Sequence, residues 1–190
     1  MTQEIEIEFK NLLTEQEYEQ LLQALPFDIE KRFTQTNYYF ETTGFDLRAH
    51  GSALRIRKKN GTWTATLKEP HVEGLLETHD AITEEQAYQW MSDEHITLPN
   101  IQQRLSSMGI QLTDVLFRGS LLTERVEEEY EGTLIVLDRS HYNNKTDYEL
   151  ELEAQTKQHG EHIFNQLLTN YNIPKKDTPN KIQRFFQSFS

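Results

Sequence analysis

The residues with the clearest chemical potential lie in short ladders of like charge. Near the start of the chain, Glu4-Ile5-Glu6-Ile7-Glu8-Phe9-Lys10 alternates charged and apolar residues, and Asp147-Tyr148-Glu149-Leu150-Glu151-Leu152-Glu153 repeats the pattern towards the other end. A repeat of two is the period of a β-strand, so Glu4, Glu6, Glu8 and Lys10 project to one side while Ile5, Ile7 and Phe9 project to the other. Carboxylates two residues apart on a strand sit roughly 7 Å from each other. Each such pair costs about 0.6 kcal/mol in bulk water but about 2.4 kcal/mol at an effective dielectric of about 20. An open face tolerates that repulsion; an enclosed one requires cations.

Cations occur in the same pattern. Ser52-Ala53-Leu54-Arg55-Ile56-Arg57-Lys58-Lys59 sets Arg55, Arg57 and Lys59 opposite Leu54 and Ile56. After the hairpin signal Asn60-Gly61, residues 62–68 set Thr64, Thr66 and Lys68 opposite Trp63, Ala65 and Leu67. Clustered carboxylate oxygens are hard ligands that favour Mg²⁺ or Mn²⁺, and Mg²⁺ is typically shared between a few carboxylates and phosphate oxygens. Lysine and arginine on the same face contact phosphate directly. A polyanion bridged to the protein by metal accounts for both sets of charge, and a triphosphate has a suitable size.

Blander readings compete with this one. A single E-x-E-x-K strand is ordinarily a solvated edge, the Arg55/Arg57 pair alone carries no more weight, and Glu149, Glu151 and Glu153 alone fit a surface face. Their occurrence together in one chain favours the enclosed setting. Lys181 and Arg184 fit a solvated helix flank as well as a phosphate contact. His159 and His162 read as surface residues, and His79, close to Glu77, fits either role. Tyr38, Tyr39, Trp63 and the terminal phenylalanines read as core. The chain has no P-loop, dinucleotide-binding glycine pattern or H-E-x-x-H, and no serine-histidine-acid site stands out.

The elements that must position these residues follow from local signals. Thr14-Glu15-Gln16-Glu17 is a capping box opening a helix that carries Tyr18, Leu21, Leu22 and Leu25 up to Pro26. Residues 33–42, rich in threonine and aromatics, predict a strand. An extended piece over 73–82 includes Glu77, and Thr83-Glu84-Glu85-Gln86 opens a helix with Ala87, Trp90 and Met91. A second helix over 101–108 stops at Gly109, so residues 83–109 form a helical insert within a single domain spanning 1–190. Strands are predicted over 117–129, 133–138 and 147–153, then a helix with Ile163, Phe164, Leu167 and Leu168. A terminal helix is predicted to begin at Thr178-Pro179, with proline in its first turn and Ile182, Phe185, Phe186 and Phe189 as its buried stripe.

Composition bounds the partners. The 190 residues hold 31 Asp and Glu against 19 Lys and Arg, a net charge of −12, which disfavours duplex nucleic acid and anionic membranes as partners. With no cysteine, disulfides, thiolate metal sites and a cysteine nucleophile are excluded. No apolar run reaches the length of a membrane span and no signal peptide is recognised, which points to a soluble cytoplasmic protein. The oligomeric state is not legible.

Strands that are apolar on one side and charged on the other, with amphipathic helices to cover the apolar side, predict an α+β fold: a closed antiparallel β-barrel with a polar, charged lumen and helices packed outside. The ordered set Glu6-x-Glu8-x-Lys10, Leu54-Arg55-Ile56-Arg57, Thr66-Leu67-Lys68, Glu77, Thr123-Glu124-Arg125, Leu137-Asp138 and Glu149-x-Glu151 resembles the signature of the CYTH superfamily, the triphosphate tunnel metalloenzymes, over nearly the whole chain. That resemblance implies an eight-stranded tunnel that binds triphosphates with Mg²⁺ or Mn²⁺. By the same likeness Glu6, Glu8, Glu149 and Glu151 hold metal, with Glu4, Glu77, Asp138 and Glu153 as further candidates. Lys10, Arg55, Arg57, Lys68 and Arg125 grip the triphosphate, joined less firmly by Lys181 and Arg184; Arg118 is a weaker candidate. Glu41 stands where the family pattern commonly has aspartate.

The expected activity is metal-dependent hydrolysis of inorganic tripolyphosphate or a small organic triphosphate such as thiamine triphosphate or a nucleotide, with Glu6, Glu8 and Lys10 at the catalytic centre. The alternatives are adenylyl cyclase activity of the class IV type and non-catalytic polyphosphate or nucleotide binding.

Overall fold

The alternating segments are all strands in the computed structural model, which describes residues 2–189. In chain order they are β1 (Thr2–Leu13), β2 (Phe33–Thr42), β3 (Ala53–Lys59), β4 (Thr62–His71), β5 (Gly74–Ile82), β6 (Val115–Tyr130), β7 (Thr133–Tyr142) and β8 (Lys145–Ala154). They close an antiparallel barrel in the order β1-β5-β4-β3-β2-β6-β7-β8. The helices are α1 (Glu15–Ala24), α2 (Asp46–Ala49), α3 (Glu84–Met91), α4 (Pro99–Ser107), α5 (Lys157–Asn170) and α6 (Lys181–Gln187). Among the described residues, no helix is long and apolar enough to cross a membrane.

The chain divides into two compact units. The first joins the start of β1, through Ile5, to Gln35–Leu121. Its core lies on the apolar side of β2 to β5, where Phe40, Leu54, Ile56, Trp63, Ala65 and Leu67 meet Leu47 of α2, Ala87 and Trp90 of α3, and Ile101 and Leu105 of α4. The Trp90 and Phe40 rings stack with centroids 3.9 Å apart, and the Trp90 indole N–H donates to the Val115 carbonyl at 3.2 Å. The N-cap residue of α4, Leu98, offers no side-chain cap, so Asp80 of β5 supplies it, accepting from the Ile101 amide at 2.9 Å and the Asn100 side chain at 2.7 Å.

The second unit joins Glu6–Thr34 to the chain from Leu122 onward. Its core is built from Leu13, Val126, Ile135, Leu137, Leu150 and Leu152 on the strands, with Leu21 and Leu22 of α1 and Ile163, Phe164, Leu167 and Leu168 of α5. Helix α5 lies so close to the sheet at Gly160 that an added Cβ would sit 2.5 Å from the Phe9 ring and 2.7 Å from the Ala154 Cβ. The segment between α5 and α6 is pinned to β1. The fully buried Asn11 side chain donates to the Pro174 carbonyl at 3.1 Å and accepts from the Lys176 amide at 2.7 Å, while the Leu12 amide donates to Thr178 Oγ1 at 2.9 Å.

Two sequence expectations are corrected here. Helix α6 begins at Lys181, not at Thr178-Pro179: Asn180 is its N-cap, and the Asn180 amide is satisfied by Gln183 Oε1 at 2.9 Å. The buried side of α6 is also not the full aromatic stripe. Arg184 and Phe185 are buried, whereas Phe189 is 59% exposed.

A candidate active site of converging carboxylates and cations

Register explains which charges meet in the second unit. Arg125 of β6 pairs with Asp138 of β7, and Asp138 with Glu149 of β8; on β1, Lys10 lies opposite Glu151 and Glu8 opposite Glu153. Directly opposed residues on neighbouring strands have Cβ atoms roughly 5 Å apart, within reach for ion pairing. The Arg125 guanidinium grips Asp138 in two-pronged fashion, Nε to Oδ1 at 2.8 Å and a terminal nitrogen to Oδ2 at 2.7 Å, and the same terminal nitrogen reaches Glu151 at 2.6 Å.

Helix α6 delivers two more cations. The Lys181 ammonium lies 2.8 Å from Asp138, 3.1 Å from Glu149 and 2.5 Å from Glu151. Arg184 donates to Asp147 at 3.0 Å, to Glu149, and to the Pro179 carbonyl at 2.6 Å. Lys10 donates to Glu8 at 2.9 Å and to Asn180 Oδ1. Asp138, Glu149, Glu151, Arg125 and Arg184 are all buried. The surface-face reading of the acidic ladder on β8 therefore fails for Glu149 and Glu151, as the solvated-flank reading does for Lys181 and Arg184.

Burial and charge pull against each other in this cluster. Burial pushes the Glu149 carboxyl up to about 7, with Lys181 and Arg184 pulling the other way. Burial also works to raise Glu151, but Lys181 and Arg125 outweigh it and hold that carboxyl well below the ordinary carboxylate range. Desolvation would lower Lys181, yet Asp138, Glu149 and Glu151 keep its ammonium protonated far above the usual lysine range. Arg125 and Arg184 are likewise shifted upward by their carboxylates against desolvation.

The first unit carries the other charged face. Across β2, β3, β4 and β5 the register sets Tyr39, Arg55, Thr66 and His79 in one row and Asn37, Arg57, Thr64 and Ala81 in the next. Arg57 Nε donates to Asn37 Oδ1 at 2.9 Å. Arg55 Nε is buried and, among the described residues, makes no hydrogen bond. Lys68 pairs with the buried carboxylate of Glu77, and His79 stands between Thr66 and Glu4 with Glu77 beside it.

Other candidates have local duties. Arg118 donates to the Glu41 carbonyl at 3.2 Å. The Glu41 carboxylate is buried and accepts from the amides of Thr42, Leu47 and Arg48 at 2.8, 3.0 and 3.0 Å, which caps α2. His159 and His162 are exposed, with His159 Nε2 2.7 Å from the Glu131 carbonyl. Sequence reasoning missed Asp147, which orients Arg184 and itself accepts from the Tyr142 phenol at 2.6 Å. The signal available was its place in the alternation of β8, two residues before Glu149.

The CYTH domain family profile matches residues 4–186. A Bacillus subtilis protein named "Putative triphosphatase YjbK" is 46% identical over 191 residues, covering 98% of this chain and 97% of the relative. A solved structure from Bacillus halodurans, described as a "putative adenylate cyclase", has a TM-score of 0.93 at 36% identity, covering 98% of this chain and 100% of its own. HpAC1 from Hippeastrum, described as having a dominant triphosphatase activity, superposes with a TM-score of 0.79 at 24% identity over 96% of each chain, a likeness of fold.

Proposed function

Because the chain belongs to the CYTH domain family, we propose that it is a divalent-metal-dependent hydrolase of triphosphates, acting in the cytoplasm on inorganic tripolyphosphate or a small organic triphosphate. The observation that carries this reading is the convergence of Asp138, Glu149 and Glu151 on one buried point, where each lies within 3.1 Å of the Lys181 ammonium. Three carboxylates that share one cation form a set of hard oxygen donors, the type that suits Mg²⁺ or Mn²⁺.

In this proposal Glu6, Glu8, Glu149 and Glu151 hold the metal, with Asp138 and Glu153 supporting it. Metal held by these carboxylates would supply Lewis-acid neutralisation of the phosphoryl groups and would lower the pKa of the attacking water. The chain's own residues do the rest. Lys10, Arg125, Lys181 and Arg184 bind phosphate oxygens and stabilise charge on the transferring phosphoryl group, and Arg55, Arg57 and Lys68 are assigned to phosphate by the same chemistry. The buried, unpaired Nε of Arg55 supports its assignment, since a buried donor without an acceptor is costly and phosphate would supply one. Glu6, Glu8 and Lys10 form the catalytic centre.

A second reading, cyclisation of ATP, is kept because the Bacillus halodurans relative is described as a "putative adenylate cyclase". One experiment separates the readings: tripolyphosphate, thiamine triphosphate and ATP are each incubated with Mg²⁺ or Mn²⁺ and the products identified. Orthophosphate release supports hydrolysis, and pyrophosphate with a cyclic nucleotide replaces it with cyclisation. Calorimetric binding without turnover under either metal would reduce the protein to a polyphosphate or nucleotide sensor.

A further inference from the structure

The pairing of β4 with β5 sets Thr66 opposite His79 and Lys68 opposite Glu77. Strand alternation puts Glu77 and His79 on the same face, and Glu4 of β1 reaches that face as well. The His79 ring is fixed from behind, its Nδ1 lying 3.0 Å from the buried Thr66 hydroxyl. Its other nitrogen, Nε2, is 3.1 Å from Glu4 Oε1 and 3.4 Å from Glu77 Oε2. Two anionic oxygens thus converge on one ring nitrogen, where a single N–H can be directed at only one of them.

We propose that Glu4, Glu77 and His79 form a second divalent-cation site, distinct from the all-oxygen cluster on β7 and β8, that takes a first-row transition ion of the Zn²⁺ class in preference to Mg²⁺. An ion bound about 2.1 Å from each donor holds neighbouring donors about 3.0 Å apart in octahedral and about 3.4 Å apart in tetrahedral geometry. The separations of 3.1 and 3.4 Å fall within the span between those two geometries. A histidine that ligates metal characteristically gives its second ring N–H to an oxygen, which orients the ring and raises its basicity. Thr66 is placed to accept it. Lys68 on the other Glu77 oxygen holds that carboxylate in place and balances part of the charge. Imidazole favours Zn²⁺, Cu²⁺ or Ni²⁺, whereas Mg²⁺ demands oxygen ligands and keeps its waters, so the nitrogen donor sets the preference. An ion here also ties the start of β1 to β5, where the Gln3 side chain already donates to Thr78 Oγ1, next to His79 in the chain, at 3.0 Å.

The site shares Lys68 with the proposed triphosphate contacts, but its test contains no substrate and so does not depend on that reading. Calorimetric titrations of the full chain with Zn²⁺ and, separately, with Mg²⁺ are compared for the unaltered protein and H79Q, with the His79 ring nitrogens followed by ¹⁵N NMR. The expected result is a shift of His79 Nε2 on adding Zn²⁺, a loss of at least about tenfold in affinity for the tightest Zn²⁺ in H79Q, and unchanged Mg²⁺ binding. Equal Zn²⁺ affinity in the two proteins would overturn the proposal, as would a parallel loss of Zn²⁺ and Mg²⁺, which marks His79 as a hydrogen-bonding neighbour only. If H79Q loses its cooperative melt, E4Q takes its place, because the Glu4 side chain is 68% exposed and leaves the core untouched. The same selective loss of Zn²⁺ is then required.

Discussion

Lys181 donates to Glu151 at 2.5 Å from the first turn of α6, and this one ammonium also serves Asp138 and Glu149. The terminal helix thereby provides charge that three buried carboxylates of the sheet cannot do without. Removing it in K181M leaves them undercompensated, a change that typically costs about 3 to 5 kcal/mol. The expected outcome is a lower melting temperature for metal-free K181M, with a larger recovery on adding Mg²⁺ or Mn²⁺ than the unaltered protein shows. Equal melting of the two proteins would remove Lys181 from this role.

Glu149 gives the cluster a pH dependence of definite sign. Its folded value, about 7, lies above the ordinary 4.5 because burial disfavours the ionised form. Its contribution to stability is therefore whole below pH 4.5 and is lost as pH rises through about 7. Glu151, held low, contributes in the opposite sense: its share is present above the ordinary value and is lost on acidification. Metal binding needs the carboxylate, so Mn²⁺ affinity should weaken below about pH 7 with release of a proton. Calorimetry in two buffers of different ionisation enthalpy measures that proton, and E149Q should abolish its release.

Arg55 separates charge from geometry. Arg55→Lys keeps the cation but removes the buried Nε, which has no hydrogen bond to lose in the free protein. Stability should be nearly unchanged. A charged hydrogen bond made only to substrate is worth about 1.5 to 3 kcal/mol, so kcat/KM for the triphosphate should fall about 10- to 150-fold. Unchanged kinetics would take Arg55 out of the phosphate site.

Glu6 and Glu8 are assigned to metal rather than to the core. Glu6→Gln and Glu8→Gln should fold with near-normal melting curves and lose most Mg²⁺-dependent phosphate release. Retention of full turnover in both would refute their assignment.

At Gly160 the limit is steric. A methyl group in Gly160→Ala would press on the Phe9 ring and on Ala154. Overpacking of this kind costs about 1 to 3 kcal/mol. Urea denaturation should show that loss, and a second change, Phe9→Leu, should return part of it; independent, additive effects would mean that the two do not touch.

The sheet was legible in the sequence because its alternation is strict, and α1 and α3 were legible because Thr14 with Glu17 and Thr83 with Gln86 form complete capping boxes. Helix α2 was not, since its four residues are held by the Glu41 carboxylate from β2 rather than by a local pattern. Strand β7 runs four residues past Asp138, where its apolar run predicts an end, to Tyr142. The added stretch is polar in composition, yet Ser140 is fully buried and shares a hydrogen bond with Thr123 at 3.1 Å. Hydropathy misjudges a strand whose inner neighbours are themselves polar. The same error misplaces part of α6: amphipathic reasoning turns only apolar residues inward, whereas Arg184 is buried beside Phe185 because the surface that receives it is acidic. The approach of His79 to Thr66 depends on register between strands, which no single strand encodes.

Odd and even positions of each strand answer to different masters. Leu150 and Leu152 belong to the packed interior, while Glu149 and Glu151, their immediate neighbours, take no part in it. A change of anion preference is thus confined to every second residue of such a strand, and must keep the buried charges balanced, while Leu150 and Leu152 preserve the hydrocarbon scaffold.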